Sequence, residues 1–194
     1  MVNASIHKKP AQAGFFVAFF NKLIYTNLMK ITKQDEKFID EAIEISKKEK
    51  YPFGAIIVKN GKIIGRSNNL EKEFGTRLYS HSEYRAVIDA NRSGHAGPRE
   101  GGLYGGLEGC TIYTSCQPCI ICMGVLLYKG IKKIVYAAKL EDSSKYVTKE
   151  IEADPQGLVD LAGIKDIEII GALHREKAVE VLKQYVEYEE NLPK

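Results

Sequence analysis

No apolar stretch in these 194 residues is long enough to cross a bilayer, which takes about 20 consecutive apolar residues; the run from Gly14 to Phe20 is far shorter. Lys8 and Lys9 precede that run in the manner of a signal peptide, but Asn21, Lys22, Leu23, Ile24 and Tyr25 offer no small-residue cleavage site after it. No membrane association is therefore expected. Acidic residues are absent from the first 34 positions, and the five lysines there take the net charge of +3 to −2 for the remainder. With Glu187, Glu189 and Glu190 near the C-terminus, the chain lacks a domain-wide basic field, which argues against a nucleic-acid backbone as partner and for a small, compact substrate. Cysteine is scarce, and all 4 lie between Cys110 and Cys122. That clustering excludes a disulfide framework, points to a metal site, and suggests a reducing, cytoplasmic compartment. There is no internal repeat and no low-complexity tract.

Length and composition then predict one domain over 31–194, with 1–30 as an N-terminal extension that is either foreign to the domain, Met29 being an alternative start, or a dimer contact. Thr32 to Asp35 matches a helix start, and Phe38, Ile39, Ala42, Ile43, Ile45 and Ser46 repeat at helical spacing to about Glu49. Phe53 to Val58 and Lys62 to Arg66 read as strands joined by a type I′ turn at Asn60-Gly61. A helix follows from His81 to Arg92, with Tyr84, Val87, Ile88 and Asn91 on one face. Beyond a glycine-rich loop from Gly94 to Gly109 come a strand at Thr111 to Thr114, a helix at Pro118 to Tyr128, and strands at Lys132 to Ala137 and Ile167 to Ile170. Ala178, Val181, Leu182, Tyr185 and Tyr188 mark a closing helix. The predicted fold is a three-layer α/β/α sandwich, a five-stranded mixed sheet with helices on both faces. Segments 70–80, 94–109 and 141–165 are read as loops that set the volume of a pocket.

The chemistry lies in His81-Ser82-Glu83 and in Cys116-Gln117-Pro118-Cys119-Ile120-Ile121-Cys122, an H-x-E followed by a P-C-x-x-C. Proline is tolerated in a first helical turn, so Pro118 is expected to open a helix that carries Cys119 and Cys122 on one face. A helix N-terminus favours the thiolates that zinc needs. His81 adds an imidazole, and three protein ligands with an open fourth position are the arrangement of a catalytic zinc, which can lower the pKa of water to about 7. Glu83, two residues from a ligand, is the expected acid/base that moves protons between water, ring nitrogen and departing amine. A closed site with Cys116 as fourth ligand would leave Glu83 without a role; Cys116 is read as a small buried residue beside the site, Cys110 as core, and His95 and His174 as ordinary loop histidines.

These two half-motifs resemble those of the zinc-dependent nucleobase and nucleoside deaminases of the cytidine deaminase superfamily, and the resemblance runs over roughly 33–190. Within it the segment Ile112 to Cys119 and Tyr136-Ala137-Ala138 look most like bacterial guanine deaminases. The resemblance implies one zinc, a cytidine deaminase-like fold, a small-molecule nucleobase substrate, a homodimer, and hydrolytic release of ammonia from guanine or a related aminopurine or aminotriazine. Cytosine-type and tRNA adenosine deamination, or a non-catalytic zinc-stabilised module, are the alternatives. It also implies substrate contacts at Asn68, with Asn69 beside it, at Ser82 and at Tyr128, and a second proton-carrying carboxylate at Glu150, where Glu152 or Asp154 could substitute. The chain departs from the family at Ser82, where alanine is commoner, at Gln117, where glutamate usually precedes the proline, in the longer loop between the motifs, and at Tyr146-Val147-Thr148-Lys149 before Glu150.

Overall fold

The computed structural model describes residues 31–49, 51–67, 81–94, 105–147 and 149–190. The extension 1–30, Asn68, Asn69 and His95 lie outside them. The first helix, α1 (Lys33–Ser46), begins where its capping residues dictate. Asp35 N donates to Thr32 Oγ1 at 3.1 Å and Thr32 N donates to Asp35 Oδ2 at 2.9 Å, so two backbone donors left over at the helix start are satisfied. Asp35 also ties α1 to the sheet, accepting from Tyr113 Oη at 2.8 Å and lying 3.0 Å from Lys133 Nζ. Burial opposes the charge on this carboxylate, but the bonds from Thr32, Lys133 and Tyr113 hold it below its ordinary range.

Strands β1 (Ala55–Lys59) and β2 (Lys62–Arg66) form the predicted hairpin. Asn60 and Gly61 take φ of 49° and 73°, as a type I′ turn requires. The remaining elements are α2 (Ser82–Arg92), β3 (Cys110–Cys116), α3 (Ile120–Tyr128), β4 (Lys133–Ala138), α4 (Leu140–Tyr146), α5 (Pro155–Leu161), β5 (Glu168–Ile170) and α6 (Arg175–Glu190). The sheet order is β2-β1-β3-β4-β5; β1 runs antiparallel to both neighbours, while β3, β4 and β5 are parallel. Alternation along β3 assigns the two faces. Tyr113 meets Phe38 and Asp35 of α1, whereas Ile112 joins Ala86, Ala90, Met123 and Leu126 of α2 and α3 in the core on the opposite side.

Helix α2 lies close over β2 because Gly65 has no side chain. A Cβ there would collide with the Ala86 carbonyl oxygen and with Ala90. The core face of α2 is accordingly made of the small residues Ala86 and Ala90 together with Val87. The residues expected on one face, Tyr84, Val87, Ile88 and Asn91, do share it, and that face lines an outward depression with Ile121, Gly124 and Tyr128 of α3. The larger side chains are displaced outward because the close approach admits only small ones.

Segment 141–165 is not a plain loop. It contains α4, seven residues of LEDSSKY whose polar composition has no helical periodicity, and α5, which Asp154 caps by accepting from Gly157 N at 2.9 Å with Pro155 next in line. Asp-Pro was the available signal for the second. The helix after Cys116 also starts later than Pro118. Cys119 remains extended, with φ −71° and ψ 174°, and is the residue before the first helical turn.

A buried ion pair joins α1, β2 and α2. Arg85 Nη1 on α2 lies 2.8 Å from Glu49 Oε2, just past α1, and the two side chains are 4% and 6% exposed. Ser67, at the end of β2, hydrogen-bonds Glu49 through its side chain and is tied to Ala55 by Ser67 N donating to Ala55 O at 2.8 Å and Ala55 N donating to Ser67 Oγ at 3.0 Å. Removing one member strands a buried charge. Glu49→Leu is expected to destabilise the fold by about 3–5 kcal/mol, whereas Glu49→Leu with Arg85→Met should recover most of that loss; urea unfolding of the three proteins measures both, and equal stability of single and double variants would refute the pairing.

Candidate active site

Two helix N-termini meet at the carboxyl edge of β3, the end of the parallel β3-β4-β5 part of the sheet, where ligands bind in open α/β folds. His81 is the extended residue before α2, and Cys119 holds the same position before α3. The residue before a proline favours extended backbone, so Gln117 continues the line of β3, and its N–H donates to Ala138 O at 2.8 Å beside β4. The chain then turns at Pro118, which delivers Cys119 to the helix start and Cys122 to its first turn.

The three side chains converge. Cys119 Sγ and Cys122 Sγ are 3.7 Å apart, and His81 Nδ1 is 3.6 Å and 3.4 Å from them. Zinc bonds of about 2.3 Å to sulfur and 2.0–2.1 Å to nitrogen, opened at a tetrahedral angle, give triangle edges of about 3.8 Å and 3.6 Å. The donor set thus has the size and the chemistry that zinc requires. Among the described residues it is the one cluster of His, Cys, Asp or Glu that could hold a metal. The hydrogen bond with Cys122, then that with His81, pulls the Cys119 thiol down to about 4, which makes a thiolate available as a ligand. Cys116 is not part of the set. Its sulfur points to Lys139 O at 3.7 Å, and burial keeps its thiol protonated.

Glu83 follows His81 by two residues and is only 6% exposed. Its Oε2 accepts from Ser82 Oγ at 3.1 Å and from Cys122 Sγ at 3.4 Å, and its Oε1 accepts from Thr114 Oγ1 at 3.3 Å. Thr114 belongs to the face of β3 that carries Ile112, so the sheet itself orients the carboxyl. Burial pushes Glu83 above the usual carboxylate range.

These groups open onto a cavity of about 270 Å³. His81, Ser82, Glu83, Cys116, Cys119, Cys122 and Glu150 all line it. Glu152 and Asp154 line a separate depression, and Asp154 is occupied in capping α5. Tyr128 is not brought to the cavity; it sits at the far end of α3, in the outward depression beside Tyr84. The reason is helical geometry: Cys122 and Tyr128 are six residues apart, more than one and a half turns, so their side chains leave α3 on different sides. The sequence reading missed Tyr51, Phe53, Ser143 and Tyr185, which also line the cavity. In the sequence Phe53 belongs to an apolar run and Tyr185 to a helical stripe, and neither pattern marks a cavity. Ser143 lies on the helix that periodicity did not reveal.

Comparison with known proteins agrees with this geometry. The probable cytosine deaminase of Schizosaccharomyces pombe is 28% identical over 169 residues, covering 84% of this chain and 92% of that protein. The tRNA-specific adenosine deaminase of Bacillus subtilis is 34% identical over 109 residues, and the guanine deaminase of the same organism 34% over 107; the chain spans 62% and 63% of the length of these two relatives. A solved structure of guanine deaminase from Nitrosomonas europaea shares the fold, with a TM-score of 0.65 at 20% identity over 96% of this chain and 99% of that one. The zinc fit has a direct check. Elemental analysis of protein purified without chelator should find one zinc per chain, lost from Cys119→Ser and retained by Glu83→Gln. Residues 32–138 match the cytidine and deoxycytidylate deaminase zinc-binding region, and with its two cysteines and histidine disposed for that metal the chain belongs to this family of zinc-dependent deaminases.

Proposed function

We propose that the protein hydrolyses the amino group of a free nucleobase, guanine or a closely related aminopurine or aminotriazine, with His81, Cys119 and Cys122 holding zinc and Glu83 carrying the protons. The observation that supports this most is the presence of two carboxylates, Glu83 and Glu150, on one cavity with the ligand triangle. Zinc, when bound, supplies a Lewis acid that makes water a competent nucleophile at neutral pH. Glu83 takes one proton from the attacking water and passes it to the ring nitrogen, then takes the remaining hydroxyl proton and delivers it to the amine as the C–N bond breaks and the carbonyl forms, so that ammonia leaves. Ser82 and Thr114 hold its two oxygens in place for those transfers. Ser82, read as a substrate contact from sequence, is here engaged with Glu83.

Purine deamination beside a ring N–H gains from a second group that accepts or delivers a proton, and Glu150, which lines the cavity, is a carboxylate that could serve as that group. Tyr51, Phe53 and Tyr185 add aromatic surface to the cavity wall. A cavity of about 270 Å³ lies just below the roughly 300–1,000 Å³ of pockets for larger ligands, which suits one base. Cytosine is the second reading, favoured by the same small volume and by the near full-length cytosine deaminase relative. No helix among the described residues is long and apolar enough to cross a membrane.

A homodimer completes the proposal. Helix α3 is apolar nearly all round, as a buried helix is, yet Ile120 and Ile121 are 39% and 47% exposed and Gly124 has open space above it. Together with Tyr84 and Ile88 of α2 they form a surface suited to a second copy. Light scattering should give twice the chain mass, with Ile121→Glu shifting it to one.

The substrate test is ammonia release from guanine, cytosine, cytidine and a tRNA anticodon stem-loop. Guanine is expected to turn over fastest, with Glu83→Gln reducing turnover by about 10²–10⁴-fold and Glu150→Gln by about 10²-fold. Preference for cytosine with indifference to Glu150→Gln would move the substrate to the pyrimidines.

A further inference from the structure

Gln117 stands between the cavity and its surroundings. It lines the cavity with His81 and Glu150 on one side and the separate depression with Glu152 and Asp154 on the other. Its backbone is fixed twice, by Gln117 N donating to Ala138 O at 2.8 Å and by Pro118 following it. From that anchored position the side-chain amide reaches across the boundary, and Nε2 donates to Ala153 O at 3.1 Å. Ala153 belongs to the irregular stretch 149–154 between α4 and α5, which has no helical or strand ladder of its own. Glu150 lies three residues before the tethered carbonyl.

From this we infer that Gln117 is a positioning residue. Its amide holds the 149–154 stretch against the turn that bears the zinc ligand Cys119, so that Glu150 faces the cavity while Glu152 and Asp154 face away. The inference deepens the proposed role of Glu150 and rests on it for its catalytic consequence, but the tether itself is a separate claim about this stretch of backbone. Chemistry fixes the choice of residue. Ala153 O can only accept, so the partner must donate, and an amide donates where a carboxylate at the same place would present a second acceptor and repel it. The donor also bears no charge, and so adds none beside the sulfur ligands.

Gln117→Met keeps the length and removes the donor; Gln117→Glu keeps the shape and reverses the polarity of the contact. Both variants, alone and combined with Glu150→Gln, are compared with the full-length parent for zinc content, kcat and KM on the preferred base, and hydrogen–deuterium exchange of peptides covering 149–154. Each single Gln117 variant should keep its zinc, exchange faster over 149–154, and lose about three- to tenfold in kcat, the range an ordinary neutral hydrogen bond supports. In the Glu150→Gln background the same substitutions should cost nothing further, because a residue acting through Glu150 has nothing left to position. Equal losses in both backgrounds would overturn the coupling to Glu150. Unchanged exchange over 149–154 would overturn the tether, whatever the kinetics. Glu150→Gln without effect on turnover, with the exchange change intact, would instead remove the proposed role of Glu150 and leave the tether standing.

Discussion

Three donor atoms from two separate helices have to meet within a few tenths of an ångström of the edges of one tetrahedral face. Every feature that places α2 and α3 relative to β3 serves that meeting. Gly65 lets α2 settle onto the hairpin, and Ala86 and Ala90 give it a face small enough to stay there. Gln117 extends the line of β3 by a bond to Ala138, so the turn at Pro118 starts from a fixed point and delivers Cys119 reproducibly. The Glu49–Arg85 pair locks the same helix from its other side. Two charges removed from water are an expensive way to stabilise a domain, since apolar residues of similar volume often do as well. What the pair adds is direction, because an ion pair between α1 and α2 has one geometry where an apolar contact has many.

The cavity wall combines two kinds of element. The part formed by β3 and the starts of α2 and α3 belongs to the packed interior and carries the metal ligands, Glu83 and Thr114. The part formed by α4, the 149–154 stretch and α6 adds polar ties to the buried apolar residues Leu140, Ala178, Val181 and Leu182: Arg175 makes paired bonds to Asp142 at 2.8 Å each, and Gln117 holds Ala153. Rigid ligands with a tethered outer wall suit an enzyme whose chemical step is shared across a family while the base it accepts varies. Relatives named for cytosine, guanine and tRNA adenosine deamination are consistent with that division.

The metal ligands, Glu83, the sheet and its hairpin could be read from sequence because each rests on a local rule. Spacing of three along a helix start, a residue two places from a histidine, alternation in a strand and Asn-Gly in a turn are all properties of short segments. Cys116 could likewise be separated from the ligands, since it lies before the turn. The outer wall could not be read so. Tyr51, Ser143 and Tyr185 are distant in sequence and share a cavity only because the tertiary fold brings them there. Tyr128 shows the converse: near the ligands in sequence, it is carried to a different surface by the rotation of α3.

Sequence by itself therefore determined the donor types and their order, because a zinc site needs particular atoms at particular local spacings. Tertiary structure alone decided which of Glu150, Glu152 and Asp154 shares a cavity with Glu83, which face of α2 is buried, and where Gln117 directs its amide. Those outcomes depend on the packing of whole elements against one another, and long-range packing leaves no period in the chain from which it could be read.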